Sequence, residues 1–171
     1  MRAAWTLRGT SGAPWYAALL GAVTPAAAGP NPNAPYRDDA DARHDLAEAR
    51  ERAASAHHLV MVIFGGNWCP DCVVLHRSLE TGATHVYASQ HFEFVAVNIG
   101  RFDRNLDLAN ELGVTLKKGV PAAVILEADG TVIGRTMNGE LEASRNYTPA
   151  QILGFMQDVV EKHTVAFPNR R

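Results

Sequence analysis

The two cysteines of this 171-residue chain, Cys69 and Cys72, are separated by two residues and lie where an apolar run meets a helical pattern. Two thiols at this spacing can close a small disulfide and open it again. The attacking species is the thiolate, which the free amides and partial positive charge of a helix N-terminus stabilise. We therefore expect Cys69, at the start of the helix, to be the exposed nucleophile, and Cys72 to be the resolving thiol.

The same two cysteines could instead supply half of a metal site, because His76 follows Cys72 by four residues. Structural zinc takes four ligands. The sequence has no second pair of cysteines, and its other histidines show no paired ligand spacing. Dithiol chemistry is therefore favoured. Copper or zinc handling through Cys69, Cys72 and His76 is the alternative, and a redox-inert binding domain is a third reading.

The segments on either side of the cysteines have the patterns of a strand and a helix. Residues Leu59–Phe64 form an unbroken apolar run, typical of a strand buried on both faces. A helix is predicted from about Cys69 to Glu80, with Pro70 in the first turn, where its missing N–H loses no hydrogen bond. Cys72 recurs with two leucines at helical spacing, which predicts that it faces the core.

The rest of the chain alternates between helical and strand patterns. We expect Asn105 to cap a short helix that Gly113 ends, and Thr148 to begin the last helix with a capping box. The predicted helices are Asp39–His57, a piece through 86–88, Leu106–Leu112 and the one from Thr148; the predicted strands are Phe92–Ile99 and a hairpin of Ala122–Leu126 and Thr131–Arg135. The chain thus reads as one α/β domain.

The N-terminal 28 residues have two arginines, no acid, and an apolar stretch followed by three alanines. This composition is typical of a secretory signal, with cleavage predicted near Ala28; a transit peptide and a disordered N-terminus are the alternatives. Residues 29–38 are predicted to be a proline-rich linker, 39–165 the domain, and 166–171 a C-terminal tail. The protein is therefore expected to be periplasmic or secreted.

Charge and composition exclude several classes of function. The chain has 16 basic and 18 acidic residues, and without residues 1–28 the balance becomes 14 against 18, a net charge of −4. Nucleic-acid binding has no electrostatic support in such a chain. A hydrophobic content of 47% suits a packed core. No glycine-rich phosphate loop or nucleotide fingerprint is present, so no cofactor is expected. We expect a monomer.

The stretch Trp68-Cys69-Pro70-Asp71-Cys72 after a strand, together with Gly119-Val120-Pro121 before another, resembles the thioredoxin superfamily. Within it, the chain is similar to secreted bacterial thioredoxin-like proteins with a Phe-Gly-x-x-Trp-Cys-Pro-Asp-Cys signature. The resemblance spans about residues 40–163 and includes Asn138-Gly139-Glu140-Leu141 at the end of the hairpin strands. It implies a thioredoxin fold, an α/β class with a central mixed β-sheet flanked by helices in three layers.

The resemblance also implies a function and a set of site residues. It implies a thiol-disulfide oxidoreductase that acts on protein disulfides through a redox-active Cys69–Cys72 disulfide. The Val120–Pro121 peptide bond should be cis, and Trp68, Val120 and Pro121 should form an apolar rim that receives an extended polypeptide. In secreted relatives a membrane electron-transfer protein restores the dithiol, so such a partner is expected.

The chain departs from thioredoxins proper at Ile63, where they carry a buried aspartate six residues before the first cysteine. Asp71 and His76 are the remaining candidates for proton transfer. We expect Asp71 to face solvent and its carboxylate to oppose the helix dipole by about 0.6 kcal/mol. The dipole stabilises a thiolate by roughly 0.3–1 kcal/mol. Because the two effects nearly cancel, the sequence favours a reductase. The charged loop Arg101–Asn105 is assigned no role.

Overall fold

Four strands and five α-helices follow one another along the part of the chain that the structure, a computed structural model, describes, namely residues 31 and 33–166. The predicted signal segment 1–28 and residues 167–171 lie outside the described residues. The elements are α1 (Ala42–Ala56), β1 (Leu59–Gly65), α2 (Pro70–Leu79), α3 (Gly82–His91), β2 (Phe92–Asn98), α4 (Leu106–Glu111), β3 (Ala122–Leu126), β4 (Val132–Arg135) and α5 (Pro149–Ala166).

The strands form one mixed sheet in the order β2-β1-β3-β4. Strand β1 pairs in parallel with β2 and antiparallel with β3, and β3 pairs antiparallel with β4. All seven residues of β1 are buried, as its unbroken apolar sequence predicts. The parallel strands end together, with Gly65 opposite Asn98. The residues that follow both strands therefore meet at one edge of the sheet.

Side chains of β1 alternate between two hydrophobic cores, one on each face of the sheet. Val60 and Phe64 belong to the core that contains the buried alanines of α1 and both cysteines. Met61 and Ile63 belong to the core that contains the apolar stripe of α5 and residues of α3. Helices thus cover both faces, which confirms the predicted α/β class with a mixed sheet flanked by helices.

Helix boundaries differ from the prediction where side chains compete for main-chain groups. Helix α1 starts at Ala42, three residues later than predicted, because the carboxylate of Asp41 accepts hydrogen bonds from the N–H groups of Arg43 and His44. Asn105 is the N-cap residue of α4, as predicted, but its side chain makes no capping hydrogen bond. Its backbone is left-handed, with φ of 52°, and its side-chain amide donates to the carbonyl of Asn98 at 2.7 Å.

The hairpin and the last helix follow the sequence more closely. Strand β4 stops at Arg135, so Asn138–Leu141 lie beyond the hairpin strands, and an unpredicted 3-10 helix, Ser144–Asn146, follows. The capping box before α5 is confirmed, because the Thr148 N–H donates to Gln151 Oε1 at 2.9 Å and the Gln151 N–H donates to Thr148 Oγ1 at 3.3 Å. Within residues 31 and 33–166, no helix is long and apolar enough to cross a membrane.

Candidate active site

The two cysteines form a disulfide at the N-terminus of α2. Cys69 is the N-cap, Pro70 is the first helical residue, and the Cys72 N–H points at Cys69 Sγ at 3.2 Å. Cys72 is fully buried, as its helical spacing predicts, but Cys69 is only 5% exposed. The expectation of an exposed Cys69 is therefore wrong: the closed disulfide draws its sulfur into the core, and both sulfurs belong to the same hydrophobic cluster.

The Val120–Pro121 segment lies against Cys69. The Val120–Pro121 peptide bond is cis, which confirms the expectation from the resemblance. The Val120 carbonyl oxygen is 3.5 Å from Cys69 Sγ, and both Val120 and Pro121 are buried. The loop before β3 therefore borders the disulfide through a main-chain carbonyl oxygen.

Trp68 is the exposed member of the predicted rim, with 39% of its surface accessible. Its indole N–H donates to the carbonyl of Gly100 at 2.5 Å, and its ring lies 5.8 Å from that of Phe102 between centroids. The Arg101 guanidinium lies 5.5 Å over the indole, a cation–π distance. A cleft of about 350 Å³ opens between Trp68 and the loop after β2, which includes Arg101 and Arg104.

The loop Arg101–Asn105, to which the sequence assigns no role, lies beside the active site for a reason that the strand pattern contains. The loop follows β2, and Trp68 follows β1, so the pairing of the two strands in parallel brings both segments to the same edge of the sheet. That edge is where open α/β sheets form their sites. A parallel pairing of the two predicted central strands would have placed the charged loop beside the cysteines.

Asp71 is buried, with 7% of its surface exposed, so the expectation that it faces solvent is wrong. Its carboxylate accepts a hydrogen bond from the Arg145 N–H at 3.0 Å and lies 3.4 Å from the Arg145 guanidinium. The 3-10 helix supplies these partners, and no periodicity in the sequence indicates it. The Arg145 guanidinium partly neutralises the Asp71 carboxylate. Asp71 therefore destabilises a thiolate at the N-terminus of α2 by less than the sequence predicts.

His76 lies one turn beyond Cys72, half-buried, with its Nε2 atom 3.1 Å from a Glu80 carboxylate oxygen. The Glu80 carboxylate favours the protonated, charged form of this ring. Burial lowers the pKa of His76, and the Glu80 carboxylate only partly offsets this effect. His76 is therefore expected to be neutral at pH 7.

The lowered pKa of His76 predicts how stability depends on pH. The folded protein binds this proton less tightly than the unfolded chain, whose histidine pKa is about 6.5. The stability that a neutral His76 contributes is thus present above that pH and is lost as the pH falls below it. In urea unfolding at a series of pH values, His76→Gln should show a smaller loss of unfolding free energy on acidification. An unchanged pH dependence would contradict this. A residual slope is expected from His91, whose pKa burial also lowers.

The segment before α1 packs over the active-site loop. Asn67 binds the backbone of Tyr36 on both sides: the Tyr36 N–H donates to Asn67 Oδ1 at 3.1 Å, and Asn67 Nδ2 donates to the Tyr36 carbonyl at 2.7 Å. Asn98 Nδ2 also donates to that carbonyl, at 3.3 Å. Pro35 and Tyr36 are buried, although they fall in the predicted linker. The packed structure therefore begins before residue 39.

Gly65 lies where Tyr36 and the disulfide come together. A Cβ atom on Gly65 would be 2.6 Å from the Tyr36 hydroxyl oxygen and 2.9 Å from Cys72 Sγ. Gly65→Ala should therefore lower the unfolding free energy by about 1–3 kcal/mol, because both neighbours are held by the core. Urea unfolding of the oxidised protein measures this change.

Gly154→Ala is the matched control for that substitution. Its Cβ would meet nothing within 4 Å, and the residue lies within α5. Alanine there should raise the unfolding free energy by roughly 0.5–1 kcal/mol through helix propensity. Equal effects of the two substitutions would show that the space over Gly65 is not tightly filled.

The described residues contain one group of three side chains placed to hold a metal ion, and it does not include the cysteines. It consists of His44, Asp45 and Glu48 on the outer face of α1. Groups of this kind are common on protein surfaces without a metal.

A mixed sheet with a CxxC disulfide at a helix N-terminus and a cis-proline beside it defines the thioredoxin class of fold. Comparison with known proteins agrees with this class. The family described as thioredoxin-like matches residues 41–128. The solved structure of a disulphide isomerase from Xylella fastidiosa Temecula1 is 34% identical, with a TM-score of 0.71, over 74% of this chain and 96% of that chain. The chain belongs to the thioredoxin-like family.

Two more distant structures share the fold. A DsbH oxidoreductase is 19% identical with a TM-score of 0.50, over 67% of this chain and 81% of that one. The C-terminal domain of Neisseria meningitidis DsbD, in its oxidised form, is 14% identical with a TM-score of 0.50, over 70% and 96%. Identities this low show similarity of fold alone. No curated protein matches the sequence.

Proposed function

We propose that this protein is a thiol-disulfide oxidoreductase that acts on protein disulfides through Cys69 and Cys72. The observation that carries the proposal is the disulfide at the N-terminus of α2, since a CxxC loop this short constrains little chain entropy and has its value in reactivity. The membership of the thioredoxin-like family supports it.

Exchange in the reducing direction takes two attacks. The Cys69 thiolate attacks a substrate disulfide, which forms a mixed disulfide and releases one substrate sulfur as a thiolate. The Cys72 thiolate then attacks Cys69 Sγ, which forms the Cys69–Cys72 bond and releases the second substrate sulfur. The two protons from the protein thiols end on the two substrate thiols. Another dithiol protein must then reduce the Cys69–Cys72 disulfide before the next cycle.

The surroundings of Cys69 favour the reducing direction. A strong oxidant stabilises its reduced form through a heavily stabilised thiolate. Here the N-terminus of α2 favours a negative charge on Cys69, but burial and the Val120 carbonyl oxygen at 3.5 Å oppose it. Burial and the carbonyl oxygen thus destabilise the Cys69 thiolate, an effect that the sequence alone assigns to the Asp71 carboxylate. The balance again points to a moderately acidic thiol.

The substrate is proposed to be an extended polypeptide that lies across Trp68, Val120 and Pro121. Trp68 supplies exposed apolar area beside the disulfide, and the loop before β3 supplies main-chain groups. Asp71 and His76 are proposed as the groups for proton transfer, and their side chains contact Arg145 and Glu80, respectively.

The setting of this activity is proposed from the N-terminal sequence. The acid-free, apolar composition of residues 1–28 supports export to the periplasm or beyond. A protein there would need reducing equivalents from a membrane electron-transfer protein. We propose that the exported protein works as a monomer without a small cofactor and does not bind nucleic acid.

The metal-handling alternative is not favoured by any contact in the site. It would use Cys69, Cys72 and His76 as separate ligands, whereas the two sulfurs are bonded to each other and the His76 ring contacts Glu80. Stoichiometric copper or zinc in the purified protein would favour the metal-handling alternative.

The proposed activity is tested by the reduction of insulin disulfides with dithiothreitol, with and without this protein. A catalytic amount should accelerate precipitation of the reduced insulin chains. If the protein leaves the rate at that of dithiothreitol alone, the proposed reductase activity is wrong. Metal content is measured on the same sample.

A further inference from the structure

Tyr36 brings a buried phenol hydroxyl close to Cys72. Its side chain is 1% exposed, and its hydroxyl oxygen and Cys72 Sγ both border the space directly over Gly65. The residue comes from the segment before α1 and is far from Cys72 in sequence. The hydroxyl oxygen and the Cys72 sulfur would lie 2.6 and 2.9 Å from a Cβ atom on Gly65, so the two atoms are within about 5.5 Å of each other in the core.

The position of Tyr36 is fixed by the active-site loop itself. Asn67, two residues before Cys69, pairs with both main-chain groups of Tyr36, and Asn98 at the end of β2 binds the same carbonyl. Because these contacts hold the backbone, the tyrosine ring has a defined place relative to α2.

Cys72 needs a hydrogen-bond donor when the disulfide opens. Burial in apolar surroundings raises the pKa of a thiol, and a resolving or leaving sulfur must carry a negative charge. Position 63 is isoleucine, and β1 and β3 contribute only apolar side chains. The other titratable groups of α2 near Cys72 are Asp71, which faces Arg145, and His76, which faces Glu80.

We propose that the Tyr36 hydroxyl donates a hydrogen bond to the Cys72 sulfur when the disulfide opens and so stabilises the Cys72 thiolate. This inference rests on the proposed exchange function and adds a residue to it. Burial raises the pKa of Tyr36 well above its ordinary value, so the hydroxyl stays protonated and acts as a donor, not as a base.

The step can be written for reduction of the disulfide by a dithiol. A thiolate of the dithiol attacks Cys69 Sγ, the new sulfur–sulfur bond forms, and the Cys69–Cys72 bond breaks. The electron pair of the broken bond stays on Cys72, whose thiolate receives the Tyr36 hydrogen bond and later a proton from solvent. A leaving thiol of lower pKa departs faster, so Tyr36 should accelerate the opening.

The direct test is the pKa of Cys72 in the single-thiol variant Cys69→Ser, followed by thiolate absorbance across about pH 5 to 10. Adding Tyr36→Phe removes the hydroxyl and keeps the ring. The pKa of Cys72 should then rise by about one unit, a tenfold smaller ionisation constant. The control is Tyr87→Phe, because Tyr87 packs against the other core, on the opposite face of the sheet.

A kinetic test uses the protein with both cysteines. Reduction of its disulfide by dithiothreitol, monitored by tryptophan fluorescence, should be roughly threefold to tenfold slower in Tyr36→Phe and unchanged in Tyr87→Phe. A merely structural role for Tyr36 would lower the unfolding free energy without moving the Cys72 pKa.

The outcomes separate this inference from the proposed function. An unchanged Cys72 pKa in Tyr36→Phe overturns the role of Tyr36, whether or not the wild-type protein reduces insulin. A raised Cys72 pKa together with slower opening supports it. If the wild-type protein does not accelerate insulin reduction, the proposed function fails. The Cys72 pKa in Tyr36→Phe still tests whether the Tyr36 hydroxyl donates a hydrogen bond to the Cys72 sulfur.

Discussion

Cys69→Ser should reduce disulfide exchange to the uncatalysed rate, a loss of about a thousandfold or more. A serine hydroxyl does not attack a disulfide, and Cys72, within the first turn of α2 and 0% exposed, is less accessible than position 69 at the N-cap. Insulin reduction by the two variants Cys69→Ser and Cys72→Ser measures the effect.

The Cys72→Ser variant is the matched control for this loss. It keeps the attacking thiol at the helix N-terminus but has no thiol to resolve the mixed disulfide. It should therefore accumulate a covalent adduct with a disulfide-containing peptide, detectable by mass spectrometry, whereas Cys69→Ser should accumulate none. An adduct on Cys72 in the Cys69→Ser variant would reverse the assigned roles.

Asn98→Ala should lower the unfolding free energy by about 2–4 kcal/mol, because the buried amide joins three segments of the chain. Its Nδ2 atom donates to Asp38 Oδ1 at 2.9 Å and to the Tyr36 carbonyl, and its Oδ1 atom accepts from the Gly100 N–H at 2.8 Å. Alanine removes the partner of the Gly100 N–H and leaves the Tyr36 carbonyl with the hydrogen bond from Asn67 alone. Urea unfolding of the oxidised protein tests this.

The control for this substitution is Asn110→Ala. Asn110 is exposed near the end of α4, so the change should stay within about 0.5 kcal/mol. Asn98→Ala should also loosen Trp68, because the Gly100 carbonyl that accepts the indole hydrogen bond belongs to the loop that Asn98 holds. A stability equal to that of Asn110→Ala would show that water replaces the lost hydrogen bonds.

The elements that carry the cysteines were predictable because their signals are local. The apolar run of β1 follows from the burial of this strand on both faces. The spacing of the cysteine and leucines in α2 follows from the burial of one stripe of this helix. The α/β class follows from the alternation of such segments. The cis bond at Val120–Pro121 was accessible only through resemblance to a family, because spacing alone does not distinguish the isomers.

The contacts that complete the site were not predictable because they join residues distant in sequence. Nothing in the proline-rich stretch shows that Tyr36 will be buried, since the partner amides of Asn67 and Asn98 lie in other segments. Asp71 has the helical position of a solvent-facing residue until the 3-10 helix covers it. Asn105 has the residue type of a helix cap, but the nearby carbonyl of Asn98 binds its side chain instead.

The measurement that tests the central claim most directly is the reduction potential of the Cys69–Cys72 pair, determined by equilibration with glutathione. We predict a value nearer that of thioredoxin, about −270 mV, than that of a strong oxidant, about −120 mV. A value near −120 mV would contradict the reducing direction. A pair that does not exchange with glutathione at all would contradict the proposed function itself.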